Sequence, residues 1–198
     1  ITNVLGSTIS READDVIYTW AGPEIAVAST KAYMTQLVAI YLLTIYLAQL
    51  LEKISVAEVK DLLTELVHLP EKIQQILEQS IPEIKSLARD IAKQKDVFFI
   101  GRGMDYAVSL EGSLKLKEIS YIRAEAYAAG ELKHGTLALI EEGIPVIALC
   151  TQQAVFDKTV SNIKEVKARD AHLIGIGFAG GQDLSKVVDE AIYIPDTD

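Results

Sequence analysis

A single cysteine, Cys150, occurs in 198 residues, so an internal disulfide framework is excluded. Such usage fits a reducing compartment and sets the expectation of a cytoplasmic protein. Cys150 ends the apolar run Ile144–Cys150, which reads as a buried core thiol rather than a nucleophile. Basic residues are also scarce: 19 Lys and Arg stand against 28 Asp and Glu, a formal net charge of −9. No concentrated basic patch offsets this, which argues against a nucleic-acid surface. The three histidines, His68, His134 and His172, lie far apart, and no Cys/His cluster has zinc spacing. Neither a P-loop nor a Gly-x-Ser-x-Gly elbow is present. Gly101-Arg102-Gly103 opens a helix after a strand, but Tyr106 stands where a dinucleotide fingerprint has its third glycine. It reads as a tight βα turn, and neither a cofactor nor a metal is expected. No secretory signal opens the sequence. Long apolar runs are limited to Leu37–Leu51, 15 residues that include Thr44, Gln49, Tyr41 and Tyr46. A bilayer crossing needs about 20 apolar residues, so this run is expected to be a helix buried in a protein core, not a membrane span.

What is present is enough apolar material for a sizeable core: 49% hydrophobic residues beside 24% charged ones. Asp96–Ile100, Pro145–Leu149, His172–Ile176 and Ala191–Ile194 read as buried strands. Between them Tyr106–Ile119 and Val155–Ala168 carry apolar residues at helical spacing. This alternation predicts parallel strands joined by crossover helices, a three-layer α/β domain. The first 95 residues differ. Asn3–Leu5 and Val16–Thr19 read as two strands. Helices are expected over Thr30–Leu51, Val56–Val67, Glu71–Gln79 and Pro82–Lys93, with Pro70 and Pro82 as boundaries or first-turn residues.

A weak internal repeat accounts for the imbalance. Ala13-Asp14-Asp15-Val16-Ile17-Tyr18 is similar to Val188-Asp189-Glu190-Ala191-Ile192-Tyr193, each beyond a short apolar strand and a polar connector. If the two are equivalent, residues 1–78 are the second half of one α/β module and residues 79–198 are most of another. The second then lacks the helix that should follow its last strand, and the sequence is expected to be cut at both ends.

The residues with chemical potential cluster in Glu111–Gly135. On a helix, Glu111, Lys115 and Glu118 fall at i, i+4 and i+7, along one face. The bland reading is an exposed ion-pair ladder worth about 0.2–0.5 kcal/mol per pair. The sharper reading is a carboxylate base beside a cation, the pairing that proton transfer next to a carbonyl or imine requires. His134, just before Gly135, belongs at a turn after a short helix, and its unperturbed pKa of about 6.5 suits acid–base work. Upstream, Trp20–Lys31 links a strand to the long helix. Ser29 or Thr30 is a plausible N-cap there, and the same geometry offers free amides to an oxygen-rich ligand.

Together, AGPEIAVASTKAY (Ala21–Tyr33), GRGMDYAVSLEGSLKLKEISYIRAEAYAAGELKHG (Gly101–Gly135) and LALI (Leu137–Ile140) resemble the isomerase half of the glutamine:fructose-6-phosphate aminotransferase family. The resemblance covers nearly the whole chain and is densest over Gly101–Ile140. It implies SIS modules of flavodoxin-like topology with a parallel sheet: one module here, plus the C-terminal half of a preceding one. It further implies metal-free conversion of fructose 6-phosphate and ammonia into glucosamine 6-phosphate. The ammonia comes from a separate N-terminal glutaminase domain. Residue by residue, Glu118 matches the base that moves a proton between sugar C1 and C2. Lys115 matches its neighbouring cation, and Glu111 an acidic residue of the same site. His134 matches the ring-opening histidine, which in the family reaches the neighbouring subunit's site and so implies a homodimer. Val27 and Ser29 match positions that contact the sugar through backbone and hydroxyl.

The sequence also departs from the family. A Ser-Gln-Ser-Gly-type phosphate loop is expected before Ile1, and its positional counterpart, Thr151–Thr159, lacks the paired serines and glycine and is expected to bind no phosphate. The family's Schiff-base lysine tail and its cysteine-bearing glutaminase domain are also missing, so the 198-residue chain alone is expected to be inactive. Two alternatives stand beside this reading. One is an SIS-family deglycase or isomerase acting on another phosphosugar adduct. The other is a phosphosugar-binding regulatory SIS module, which would not require a base at Glu118.

Overall fold

The apolar runs place most of the sheet. In the computed structural model, which describes residues 1–197, five strands among the described residues form one sheet. They are β1 (Asp96–Gly101), β2 (Arg123–Ala128), β3 (Pro145–Leu149), β4 (His172–Phe178) and β5 (Glu190–Ile194). All neighbouring pairs are parallel, in the order β2-β1-β3-β4-β5. That is the flavodoxin-like order, with its switch point between β1 and β3. The helices are α1 (Thr8–Glu12), α2 (Lys31–Leu50), α3 (Val56–Ile91), α4 (Met104–Ser120) and α5 (Phe156–Lys167). Short 3₁₀ turns occupy Ala129–His134, Thr136–Leu139 and Gln153–Val155.

The chain divides inside α3 into two units, Ile1–Glu71 and Lys72–Thr197. Asp198, the last residue of the expected second module, lies outside the described residues. In the second unit, strand alternation sorts side chains to the two faces of the sheet. Phe98, Ile100, Val146, Ala148 and Leu173 meet Ile163 and Val166 of α5 and Leu132 of the 3₁₀ turn. On the other face Val97, Phe99, Ala124 and Leu149 pack against Leu116 of α4. There Ile174 and Ile192 pack against Leu87 of α3. Three layers result, and the core is the sheet.

The sequence did not announce β2. Arg123–Ala128 holds three Ala and one Glu, which favour helix, but every residue of it pairs in register with β1, from Asp96↔Arg123 to Gly101↔Ala128. Tertiary pairing overrides weak intrinsic preference. The three helices expected between Val56 and Lys93 are one, α3. Pro70 and Pro82 each remove a single donor, and the Leu, Glu, Lys and Gln residues around them are strong helix formers that carry the helix through. Its start is a capping box: Ser55 N donates to Glu58 Oε2 at 2.7 Å and Glu58 N donates to Ser55 Oγ at 3.2 Å.

The first unit corrects two further expectations. Asn3–Leu5 and Val16–Thr19 do not form strands; one parallel bridge, Thr2↔Tyr18, joins the segments, and α1 follows the first. Two short segments with only each other to pair with cannot sustain a ladder. Nor is α2 a buried helix: Ala39 alone of its residues is buried. A helix apolar all round needs neighbours on every side, and within this unit the Ile17–Thr19 segment lines only the groove beside Val38, Ala39 and Leu42. By length and composition alone, α2 could cross a membrane.

Candidate active site

Helix α4 is seated by close approach. A Cβ on Gly101 would lie 2.5 Å from the Asp105 carbonyl carbon, so only glycine lets the end of β1 meet the first turn of α4. Asp105 itself is 3% exposed. Its carboxylate accepts from Thr151 N at 2.9 Å and from Thr151 Oγ1 at 2.5 Å, tying α4 to the end of β3. These bonds sit at the switch point, where open α/β sheets commonly bind ligands. Here the β3-end amide already has an acidic partner. Sequence reading missed this clamp, because its two residues are 46 positions apart.

Asp105, Ser109 and Ser113 are the buried residues of α4, and Glu111, Lys115 and Glu118 share a different face of it. Lys115 Nζ lies 2.8 Å from Glu118 Oε2 and 3.3 Å from Glu111 Oε1. The three side chains are 23–28% exposed, neither solvated nor sealed. The hydrogen bond that Lys115 donates to Glu118 holds its ammonium above the ordinary pKa against burial, with lesser help from the bond to Glu111. Lys115 therefore stays charged between two carboxylates. Chemically, the group can take and return a proton while a fixed cation steadies negative charge beside it.

The remaining expected residues are carried by other segments of the chain. His134 ends the 3₁₀ turn anchored by buried Ala129 and Leu132. It is exposed, and among the described residues its side chain makes no hydrogen bond or ion pair. The turn's Leu132 belongs to the core on the sheet face opposite Leu116 of α4. In the first unit Val27 is 90% exposed and Ser29 is half-buried. Thr30 occupies the N-cap position of α2 without a side-chain cap bond among the described residues. The cap is instead Glu24, whose Oε2 accepts from Ala32 N at 2.9 Å. No signal in the sequence marked Glu24, because it stands far upstream of the usual capping position. Among the described residues no group of three or more His, Cys, Asp or Glu side chains is placed to hold a metal ion.

A 2-1-3-4-5 parallel sheet with a carboxylate–lysine–carboxylate face on its first crossover helix defines an α/β protein of flavodoxin-like architecture. Residues 1–46 and 90–197 match the SIS domain, and the chain belongs to that family. The match takes in the greater part of α2, so that apolar helix is part of an SIS domain. The chain is similar to the isomerizing glutamine–fructose-6-phosphate aminotransferase of Clostridium tetani, 61% identical over 197 residues, covering 100% of this chain and 32% of that protein. Its counterpart from Caldanaerobacter subterraneus is 58% identical with the same coverage. Among solved structures, the C-terminal domain of glucosamine-fructose-6-phosphate aminotransferase from Francisella tularensis superposes with a TM-score of 0.92 at 36% identity. That match covers 99% of this chain and 55% of the other. The chain thus spans about a third of the length of the curated relatives it matches.

Proposed function

We propose that this chain carries the proton-transfer part of the isomerase half of glutamine:fructose-6-phosphate aminotransferase, which makes glucosamine 6-phosphate. The observation that carries the reading is the Glu111–Lys115–Glu118 cluster, held at 2.8 and 3.3 Å on one face of α4. The names of the relatives support it. His134, contributed by a neighbouring subunit of a homodimer, opens the cyclic sugar and frees its carbonyl. Ammonia from a glutaminase domain elsewhere in the full-length protein then forms an imine at C2. Glu118 removes the proton at C1, and the electrons delocalise into an enolamine whose charge Lys115 offsets. Return of a proton at C2 completes the ketose-to-aldose change. Lys115 moves protons at O1, Glu111 holds Lys115 in place, and Val27 and Ser29 contact the sugar. The protein works in the cytoplasm.

Residues 1–78 are the second half of one SIS module and 79–198 most of the next; the two-part family match supports this division. The phosphate of the sugar is gripped outside this chain, so the 198 residues alone neither bind fructose 6-phosphate tightly nor turn it over. Two measurements test the proposal. The full-length protein should form glucosamine 6-phosphate from fructose 6-phosphate and glutamine; turnover of a different phosphosugar adduct, with none of this one, would replace it with the deglycase reading. Calorimetric titration of the 198-residue chain should show no micromolar affinity for fructose 6-phosphate, and such affinity would contradict the division of labour.

A further inference from the structure

The loop that leads into α2 is clamped at both ends. Asn3 holds its start: Nδ2 donates to Gly22 O at 2.7 Å, while Oδ1 accepts from Ala21 N at 2.9 Å and Thr19 Oγ1 at 3.1 Å. Glu24 holds its end through the Ala32 amide at 2.9 Å. Between the clamps Ile25 and Val27 point outward, 91% and 90% exposed, while Ala28 is buried. Ser29 Oγ lies 3.4 Å from the same Glu24 oxygen that accepts from Ala32.

The direction of that last bond is fixed by chemistry. The Ala32 amide, with lesser help from the Thr30 amide and Lys31, holds the Glu24 carboxyl below its ordinary pKa against burial, so at neutral pH it is an anion. An ionised carboxylate has no proton to give. The hydrogen between Ser29 and Glu24 is therefore Ser29's own. A serine hydroxyl has one proton and two lone pairs; with the proton turned inward, only lone pairs face outward.

We propose that Glu24 is a positioning residue that makes Ser29 an obligate hydrogen-bond acceptor, so that this loop reads a hydroxyl of the sugar that donates. Phosphate and carbonyl oxygens, which only accept at neutral pH, are turned away from it. The inference rests on the proposed function, in which Ser29 meets the sugar. It also accounts for a cap supplied by Glu24 while Thr30, at the usual position, makes no cap bond among the described residues.

The test measures affinities of the full-length protein, without an ammonia donor, for fructose 6-phosphate and for analogues with one hydroxyl at a time replaced by fluorine. Fluorine can accept weakly but cannot donate. One analogue should bind about five- to tenfold more weakly than the parent sugar, the worth of one hydrogen bond. In Ser29→Ala that difference should shrink to within about twofold, because neither sugar then has the acceptor. Glu24→Ala frees the serine proton but leaves its lone pairs, so the difference should narrow as the hydroxyl also donates to fluorine; Glu24→Gln, which keeps an acceptor oxygen, should retain it. Ser29→Ala leaves the Ala32–Glu24 bond intact, so it reads the acceptor role even where Glu24→Ala loosens the loop. Equal affinity for every analogue, or discrimination that keeps its wild-type size in Ser29→Ala or in Glu24→Ala, overturns the inference alone. Failure of the wild-type protein to bind fructose 6-phosphate overturns the proposed function and the inference with it.

Discussion

Asp105→Ala tests how α4 is held. Asp105 is 3% exposed and its carboxylate takes both the amide and the hydroxyl of Thr151, at 2.9 and 2.5 Å. Hydrogen bonds to a charged partner contribute about 1.5–3 kcal/mol each, and a buried donor left without a partner costs about 1–3 kcal/mol. Alanine removes both bonds and strands at least the Thr151 amide, so a loss of roughly 3 kcal/mol follows. Cys150 sits beside this clamp, buried, and is the one thiol in the sequence. Pulsed thiol labelling at increasing urea therefore reports the opening of β3. With m of about 1–3 kcal/mol/M, the midpoint of Cys150 labelling should fall by about 1–3 M in Asp105→Ala. Thr151→Val loses only the hydroxyl and should cost less, about 1–2 kcal/mol. Cost in the double variant should fall well short of the sum, since both changes break the same bond. A stability for Asp105→Ala unchanged to within about 0.5 kcal/mol would refute the clamp.

Two further outcomes concern the same region. Gly101→Ala forces a Cβ to 2.5 Å from the Asp105 backbone, so it should destabilise the second unit by about 1–3 kcal/mol, read by the same labelling; an unchanged midpoint contradicts the close approach. Burial, and then the charge of Asp105, push the Cys150 thiol from an ordinary 9.0 up to about 12. The Tyr127 hydroxyl is also pushed up to about 12, by its hydrogen bond to Glu125 and then by burial. Both groups keep their protons longer when folded than when unfolded. Their stabilisation is therefore whole below the unfolded pKa values and is lost as pH rises from about 9 toward 12. Native Cys150 should resist alkylation at pH 8, and urea midpoints should fall across that alkaline window; rapid alkylation or a flat profile would count against it.

How much of this was legible in the sequence depends on how local its causes are. β1, β3 and β4 announce themselves as runs such as Val97-Phe98-Phe99-Ile100, where burial on both faces demands apolar residues in succession, and the edge strand β5 as the short apolar run Ala191–Ile194. β2 does not, because Arg123-Ala124-Glu125-Ala126-Tyr127-Ala128 carries charged and small residues in place of an apolar run and is held by its pairing with β1. Pro70 and Pro82 misled in the other direction: each costs one helical bond, but neither outweighs the propensity of the residues around it. The Glu111–Lys115–Glu118 face was readable, since helical spacing alone aligns it. The Asp105–Thr151 clamp and the Glu24 cap were not, because long-range packing brings Asp105 to Thr151, and Glu24 reaches forward past the usual N-cap to Ala32.

The assignment of Glu118 as the proton-transferring base is decided by Glu118→Gln in the full-length protein, measuring sugar binding and product formation on the same sample. Glutamine keeps the size of the side chain and its bond to Lys115 but cannot accept the C1 proton. Fructose 6-phosphate affinity should stay within about threefold of wild type, while formation of glucosamine 6-phosphate should fall by at least about a hundredfold, the usual contribution of a general base. Near-normal turnover by Glu118→Gln would contradict the account, and would return Glu111, Lys115 and Glu118 to an ordinary ion-pair ladder.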